Sequence, residues 1–145
     1  QAWAAMGKAR SNIEFVIVSN FADGMIKVPP SQKIQVQSNL SHQAVINLMR
    51  SAHFFLMPSD KDSYGLVFIE AMASGCAILC ADTEIQREIV VANGAGIACD
   101  PTERDDVVAK MRLLLESEDA KTWGTNGRAS FKKTFAPGPG SYDLP

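Results

Sequence analysis

The chain has 145 residues, a net charge of −2 and a pI near 5.6, with 46% hydrophobic and 21% charged residues. That length suits one domain with a sizeable buried core, and the balance excludes a chain disordered throughout. The slight acidity excludes a general nucleic-acid binder, which carries a basic excess or stripe.

Residues 1–10 read as the middle of a helix and lack the charged head and apolar middle of a signal peptide. No apolar run approaches the roughly 18 residues that span a bilayer. Residues 13–19 form a short β-branched run, the pattern of a buried strand. Residues 21–31 hold Gly24, Pro29 and Pro30 and read as loop. Residues 33–38 alternate apolar and polar side chains, a second strand. Ser41 then caps a helix whose apolar positions are Ala44, Val45, Leu48, Met49 and Ala52.

Residues 53–58 are a third strand, 59–65 a polar loop, and 66–74 a helix closed by Gly75 at its C′ position. Residues 76–81 make a fourth strand, followed by a loop at 82–86 and a short helix near 87–91. Residues 94–100 are a fifth strand. Thr102, with Asp105 three positions on, predicts the cap of an amphipathic helix carrying Val107, Val108, Met111, Leu114 and Leu115. A last helix covers 120–135, and three prolines and two glycines mark 136–145 as an irregular tail.

Strands alternating with helices, most strands apolar throughout, predict an α/β domain over residues 1–135. Its parallel sheet is Rossmann-like and covered by helices on both faces. Such sheets bind ligands beyond the carboxyl ends of the strands, which points to the loops after Pro58 and Ala81.

The odd count of three cysteines, Cys76, Cys80 and Cys99, and the absence of a CxxC spacing favour packing roles over metal or redox chemistry. Reduced, cytoplasmic surroundings fit them. His42 opens a helix and His53 a strand, with no triad pattern near either, so both read as structural or solvent-exposed. Trp3, Trp123, Phe131 and Phe135 read as packing residues. Lys121, Arg128, Lys132 and Lys133 read as a solvated helix face rather than a contact with anionic lipid or another domain.

The chemistry concentrates in residues 58–81, PSDKDSYGLVFIEAMASGCAILCA. A strand ends, a polar loop turns, and Gly65 opens a helix whose free amides and partial positive charge suit a phosphate. Gly65 is expected to let a ligand approach the backbone. Glu70 lies just over one turn into that helix, among Leu66, Val67, Phe68, Ile69, Ala71 and Met72. A carboxylate there needs donors. A ribose or sugar diol could supply them; otherwise Glu70 points outward or pairs with a basic neighbour.

The segment resembles the signature of retaining glycosyltransferases of family 4, which have the two-domain GT-B fold. The match is Pro58-Ser59, Asp62, Tyr64-Gly65-Leu66 and Glu70-Ala71-Met72-Ala73-Ser74-Gly75. The family's paired acids are two glutamates with seven residues between them, the spacing of Asp62 and Glu70. Residues 41–52, 82–90 and 94–100 resemble the flanking elements.

The resemblance implies the donor-binding half of a transferase that takes a sugar from a nucleotide-sugar, with no cofactor and no bound metal. Glu70 would hold the ribose hydroxyls and Asp62 would contact the donor sugar near the reacting carbon. Backbone amides of Ser63, Tyr64, Gly65 and Leu66 would hold the diphosphate or sugar. The loop of Asp82, Thr83 and Glu84, reaching Ile85, would flank the diphosphate.

Asp62 departs from the family's glutamate by one C–C bond, about 1.5 Å. Ala77 stands where the family often has proline, and nothing before Ile13 matches its Gly-Arg…Lys-Gly stretch. The resemblance also implies that an N-terminal acceptor-binding domain lies outside this chain. The chain alone is therefore expected to be an inactive part, cytoplasmic, with any peripheral membrane contact made through that other domain. The alternatives are a non-catalytic nucleotide-binding or interaction module on the same fold, and another α/β nucleotide-binding domain such as a GT-B-type epimerase half.

Overall fold

The computed structural model describes residues 13–19, 33–61 and 65–135. The strands are β1 (Phe15–Val18), β2 (Ile34–Gln37), β3 (Phe54–Met57), β4 (Ala77–Ala81) and β5 (Gly96–Cys99). The helices are α1 (His42–Ser51), α2 (Leu66–Ala73), α3 (Glu84–Gln86), α4 (Arg104–Glu116) and α5 (Ala120–Ser130). Helix α3 runs straight into a π-helical turn, Arg87–Val91, and α5 into another, Phe131–Phe135.

All strand pairing is parallel, as apolar strands joined by helical crossovers require. The single expected sheet is instead two ladders, β1–β2 and β3–β4–β5, with no strand hydrogen bonds joining them among the described residues. The strands differ in burial in the same way. Every residue of β4 is buried, whereas Val16, Val18 and Val36 of the first ladder remain 37–45% exposed.

Strand β4 shows why helices cover both faces of its ladder. Its side chains alternate: Ile78 and Cys80 join Phe68, Met72, Ile46 and Val90 on one side. Ala77 and Leu79 join Met111, Leu114 and Cys99 on the other, with Trp123 packed against them. Gly96 is required in β5 because a side chain there would fall on the Ile78 carbonyl.

Local signals hold at several ends. The Ser41 side chain accepts from the Ala44 amide at 3.2 Å and caps α1. Gly75, at φ +79°, closes α2 in a Schellman motif. Its amide donates to Met72 at 3.0 Å and that of Cys76 to Ala71 at 3.1 Å. Helix α4 is capped differently from the expectation: Glu103 is its N-cap, not Thr102. Thr102 is diverted because Asp100 Oδ1 accepts both its amide, at 2.9 Å, and its hydroxyl, at 2.6 Å. Asp106, not Asp105, reaches back and accepts from the Asp100 amide at 2.7 Å.

The three cysteines are free and buried in the core. Burial pushes the thiols of Cys76 and Cys99 up to about 11 and that of Cys80 to about 12. Among the described residues no helix is long and apolar enough to cross a membrane.

Candidate functional site

Two loops follow the carboxyl ends of β3 and β4. The first ends at Gly65, the N-cap of α2, with φ +66°, a left-handed conformation that favours glycine. A side chain at Gly65 would fall on Ile89 Cδ1 and come within 4.0 Å of Ile85 Cγ2, so the glycine is also required by packing. Gly65 thus lets the start of α2 close onto the segment after β4.

The second tie is Gln86, which is fully buried. Its Oε1 accepts from the Ala81 amide at 2.8 Å and its Nε2 donates to the Ser59 carbonyl at 2.7 Å. One amide side chain thus joins the last residue of β4 to the loop after β3. Sequence reading missed this role, although Gln86 precedes the buried Val90 by four residues and so shares its helical face.

Helix α2 presents its open end beside these ties. Among the described residues no side chain caps its first turn. The Gly65 carbonyl accepts from Phe68 at 3.1 Å and Ile69 at 3.2 Å, and the Leu66 and Val67 amides have no acceptor within the helix. Leu66 is 65% exposed. Glu70 follows it by four residues and shares its face, and side chains in helices lean toward the N-terminus. The Glu70 carboxylate therefore lies on the side of α2 that carries exposed Leu66. Its side chain is 19% exposed, and its Oε1 lies 3.0 Å from His42 Nε2, at the first position of α1. The sequence alternative of a basic neighbour is thus realised, and His42, read as structural or solvent-exposed and 71% exposed here, is its partner.

The β4 loop is committed in part to its own support. Thr83 caps α3, its side-chain oxygen accepting from the Gln86 amide at 3.3 Å. Asp82 accepts from Arg87 Nη1 at 2.8 Å, and this hydrogen bond holds the guanidinium pKa above its ordinary value. Glu84 is exposed. Asp62, Ser63 and Tyr64 lie outside the described residues. The structure therefore brings together Gly65, Leu66, Asp82, Thr83 and Glu84 at one sheet edge, with Glu70 on the adjoining face of α2.

An open groove of about 750 Å³ lies elsewhere, lined by His53, Phe54, Gly75, Lys121, Gly124 and Arg128. Phe54 begins β3 and Gly75 precedes β4, so this groove is at the opposite edge, away from the strand ends where parallel sheets bind ligands.

A family profile described as "Glycosyl transferases group 1" matches residues 2–130. The chain belongs to this family. It is 29% identical over 111 residues to an uncharacterized glycosyltransferase of Methanocaldococcus jannaschii, covering 70% of this chain and 31% of that protein. It is also 29% identical over 108 residues to an MMP alpha-(1->4)-mannosyltransferase of Mycolicibacterium hassiacum, covering 73% of this chain and 26% of that one. The chain thus spans a third or less of these relatives.

Among solved structures it is similar to the C-terminal domain of a group 1 glycosyl transferase (LpcC) from Francisella tularensis. The TM-score is 0.65 at 20% identity, over 74% of this chain and 56% of that one. It is also similar to sucrose-phosphate synthase from Thermosynechococcus elongatus, with a TM-score of 0.63 at 24% identity over 71% and 26% of the two chains. These structural likenesses show the fold of the GT-B glycosyltransferases.

Proposed function

We propose that this group 1 glycosyltransferase chain is the donor-binding half of a retaining enzyme that transfers a sugar from a nucleotide-sugar. The observation that carries the reading is the shared side of α2. The Leu66 and Val67 amides, without a partner among the described residues, open the helix, and the Glu70 carboxylate, its side chain 19% exposed, lies one turn on. The amides suit a diphosphate. Glu70 accepts from the ribose hydroxyls, bonds worth about 1.5–3 kcal/mol when made to a charged group. Asp62 contacts the donor sugar, and Ser63, Tyr64, Asp82, Thr83 and Glu84 line the diphosphate and sugar.

Transfer breaks the bond from the anomeric carbon to the diphosphate, which leaves with the bonding pair, and forms one to the acceptor oxygen on the same face of the sugar as the acceptor's hydroxyl proton passes to the departing diphosphate, without a resident metal. It takes place in a cleft closed by an acceptor-binding domain, which excludes water. The chain alone therefore binds donor and transfers little or nothing. We place the enzyme in the cytoplasm, with any membrane contact made through the acceptor domain.

One observation favours a second reading, a nucleotide-binding or interaction module without transferase activity. The β4 loop carries Asp82, Glu84 and Glu88, and its arginine, Arg87, is already paired with Asp82. A diphosphate there needs positive charge from elsewhere.

Titration of the chain with UDP, GDP and ADP, followed by backbone amide shifts, tests the proposal. The expected result is a perturbation centred on residues 65–70 and 82–86 for one of the three, lost in Glu70→Ala. Unmoved amides there with all three nucleotides would overturn it. Binding that survives addition of the acceptor domain without any sugar transfer would favour the module.

A further inference from the structure

The Glu70 carboxylate offers two oxygens, each able to accept more than one hydrogen bond. His42 Nε2 lies 3.0 Å from Oε1, and no side chain among the described residues engages Oε2. Ser74, one turn on, uses only the Glu70 backbone carbonyl, at 3.0 Å. The imidazole is 71% exposed and stands at the first position of α1, where Ser41 holds the helix start. Gln43 is turned to Asn47, at 3.0 Å, and does not compete for the carboxylate. The positive end of α1 also favours an acid placed beside it.

A glutamate side chain has three rotatable bonds, and its carboxylate, left alone in apolar surroundings, turns toward water. We infer that His42 is a positioning residue for Glu70. By holding Oε1 against the start of α1 it leaves Oε2 turned to the diol of a bound ribose. The inference rests on the reading of Glu70 given above. It adds that recognition of ribose is shared between two helices, with α1 setting the aim of a carboxylate carried by α2. His42 touches no substrate in this scheme and acts through Glu70 alone.

The experiment measures dissociation constants of the chain for whichever of UDP, GDP and ADP binds most tightly, and for the 2′,3′-dideoxy form of that nucleotide. His42→Ala is expected to weaken the ribonucleotide about threefold to tenfold, the size of a mis-aimed hydrogen bond. It leaves the dideoxy nucleotide unchanged. His42→Gln, which keeps an N–H donor, recovers most of the loss. Adding His42→Ala to Glu70→Ala brings no further weakening.

Equal weakening of both nucleotides would show a merely structural role and overturn the inference. Tighter binding in His42→Ala would overturn it too, by showing that the imidazole occupies the ribose position. If Glu70→Ala weakens the ribonucleotide and His42→Ala does not, the inference falls and the donor-site reading stands. If no nucleotide binds, or the wild-type chain does not distinguish ribose from dideoxyribose, both fall together.

Discussion

Gln86 donates to the Ser59 carbonyl at 2.7 Å across the gap between the two site loops, while its other amide atom accepts from Ala81 at 2.8 Å. The fully buried side chain satisfies the amide of the last β4 residue and a carbonyl of the loop after β3. The geometry of the site edge therefore depends on one buried amide.

Replacing it should be costly. Gln86→Leu leaves the Ala81 amide and the Ser59 carbonyl without partners. A loss of about 1–3 kcal/mol is expected from the unsatisfied buried Ala81 amide, with a smaller share from the part-buried Ser59 carbonyl. Denaturant unfolding measures it. A loss under about 0.5 kcal/mol would mean that water or another donor takes over.

Gly65→Ala tests the closure of α2 onto the segment after β4. The substitution meets φ +66° and the Ile89 side chain together. Destabilisation of about 1–3 kcal/mol is expected. In the Ile89→Ala background the same substitution should cost less, because the steric part is gone while the backbone part remains. A double-mutant cycle with no coupling would contradict the contact.

Phe68→Ala removes a fully buried ring from under the site helix. That ring meets Phe55 edge-on at 5.9 Å between centroids. The expected cost is about 3–5 kcal/mol, read as a shift in the denaturation midpoint without a change in slope.

The cysteines predict an alkaline limit. Their folded-state values, about 11 to 12, lie above the ordinary 9.0, so the folded chain holds these protons more tightly than the unfolded one. The stabilisation is complete below about pH 9 and is lost as the pH rises toward 11–12. Replacing Cys76, Cys80 and Cys99 by alanine should flatten that part of the stability profile. Maleimide labelling at pH 7 should proceed only on unfolding.

At the acid end the sign reverses. Hydrogen bonds from Thr102 hold the Asp100 carboxyl below its ordinary value. The stability it contributes is present above that ordinary value and is lost as the pH falls through the depressed one. Thr102→Val should raise the Asp100 pKa, observable by NMR titration of its carboxyl carbon. An unchanged value would remove Thr102 as the cause.

Much of the architecture was legible along the chain because its signals are local. A β-branched run, an alternating run and three short apolar runs marked the five strands, Ser41 and Gly75 marked helix ends, and the Glu70 segment could be placed on a helix behind a glycine turn. The α4 cap was misread because Asp100, outside the helix, competes for the Thr102 hydroxyl at 2.6 Å. The division into two ladders was not legible either. Apolar alternation tells which face of a strand is buried, but pairing is made between strands brought together by the fold.

Periodicity, composition and capping thus specify the class of fold and the loop that carries the chemistry, since each acts over a turn or two of chain. Folding alone sets His42 against Glu70, lays Ile89 over Gly65 and extends Gln86 to Ser59. Each of these contacts joins elements distant in sequence, and its energy depends on distance and burial, which a linear pattern does not encode.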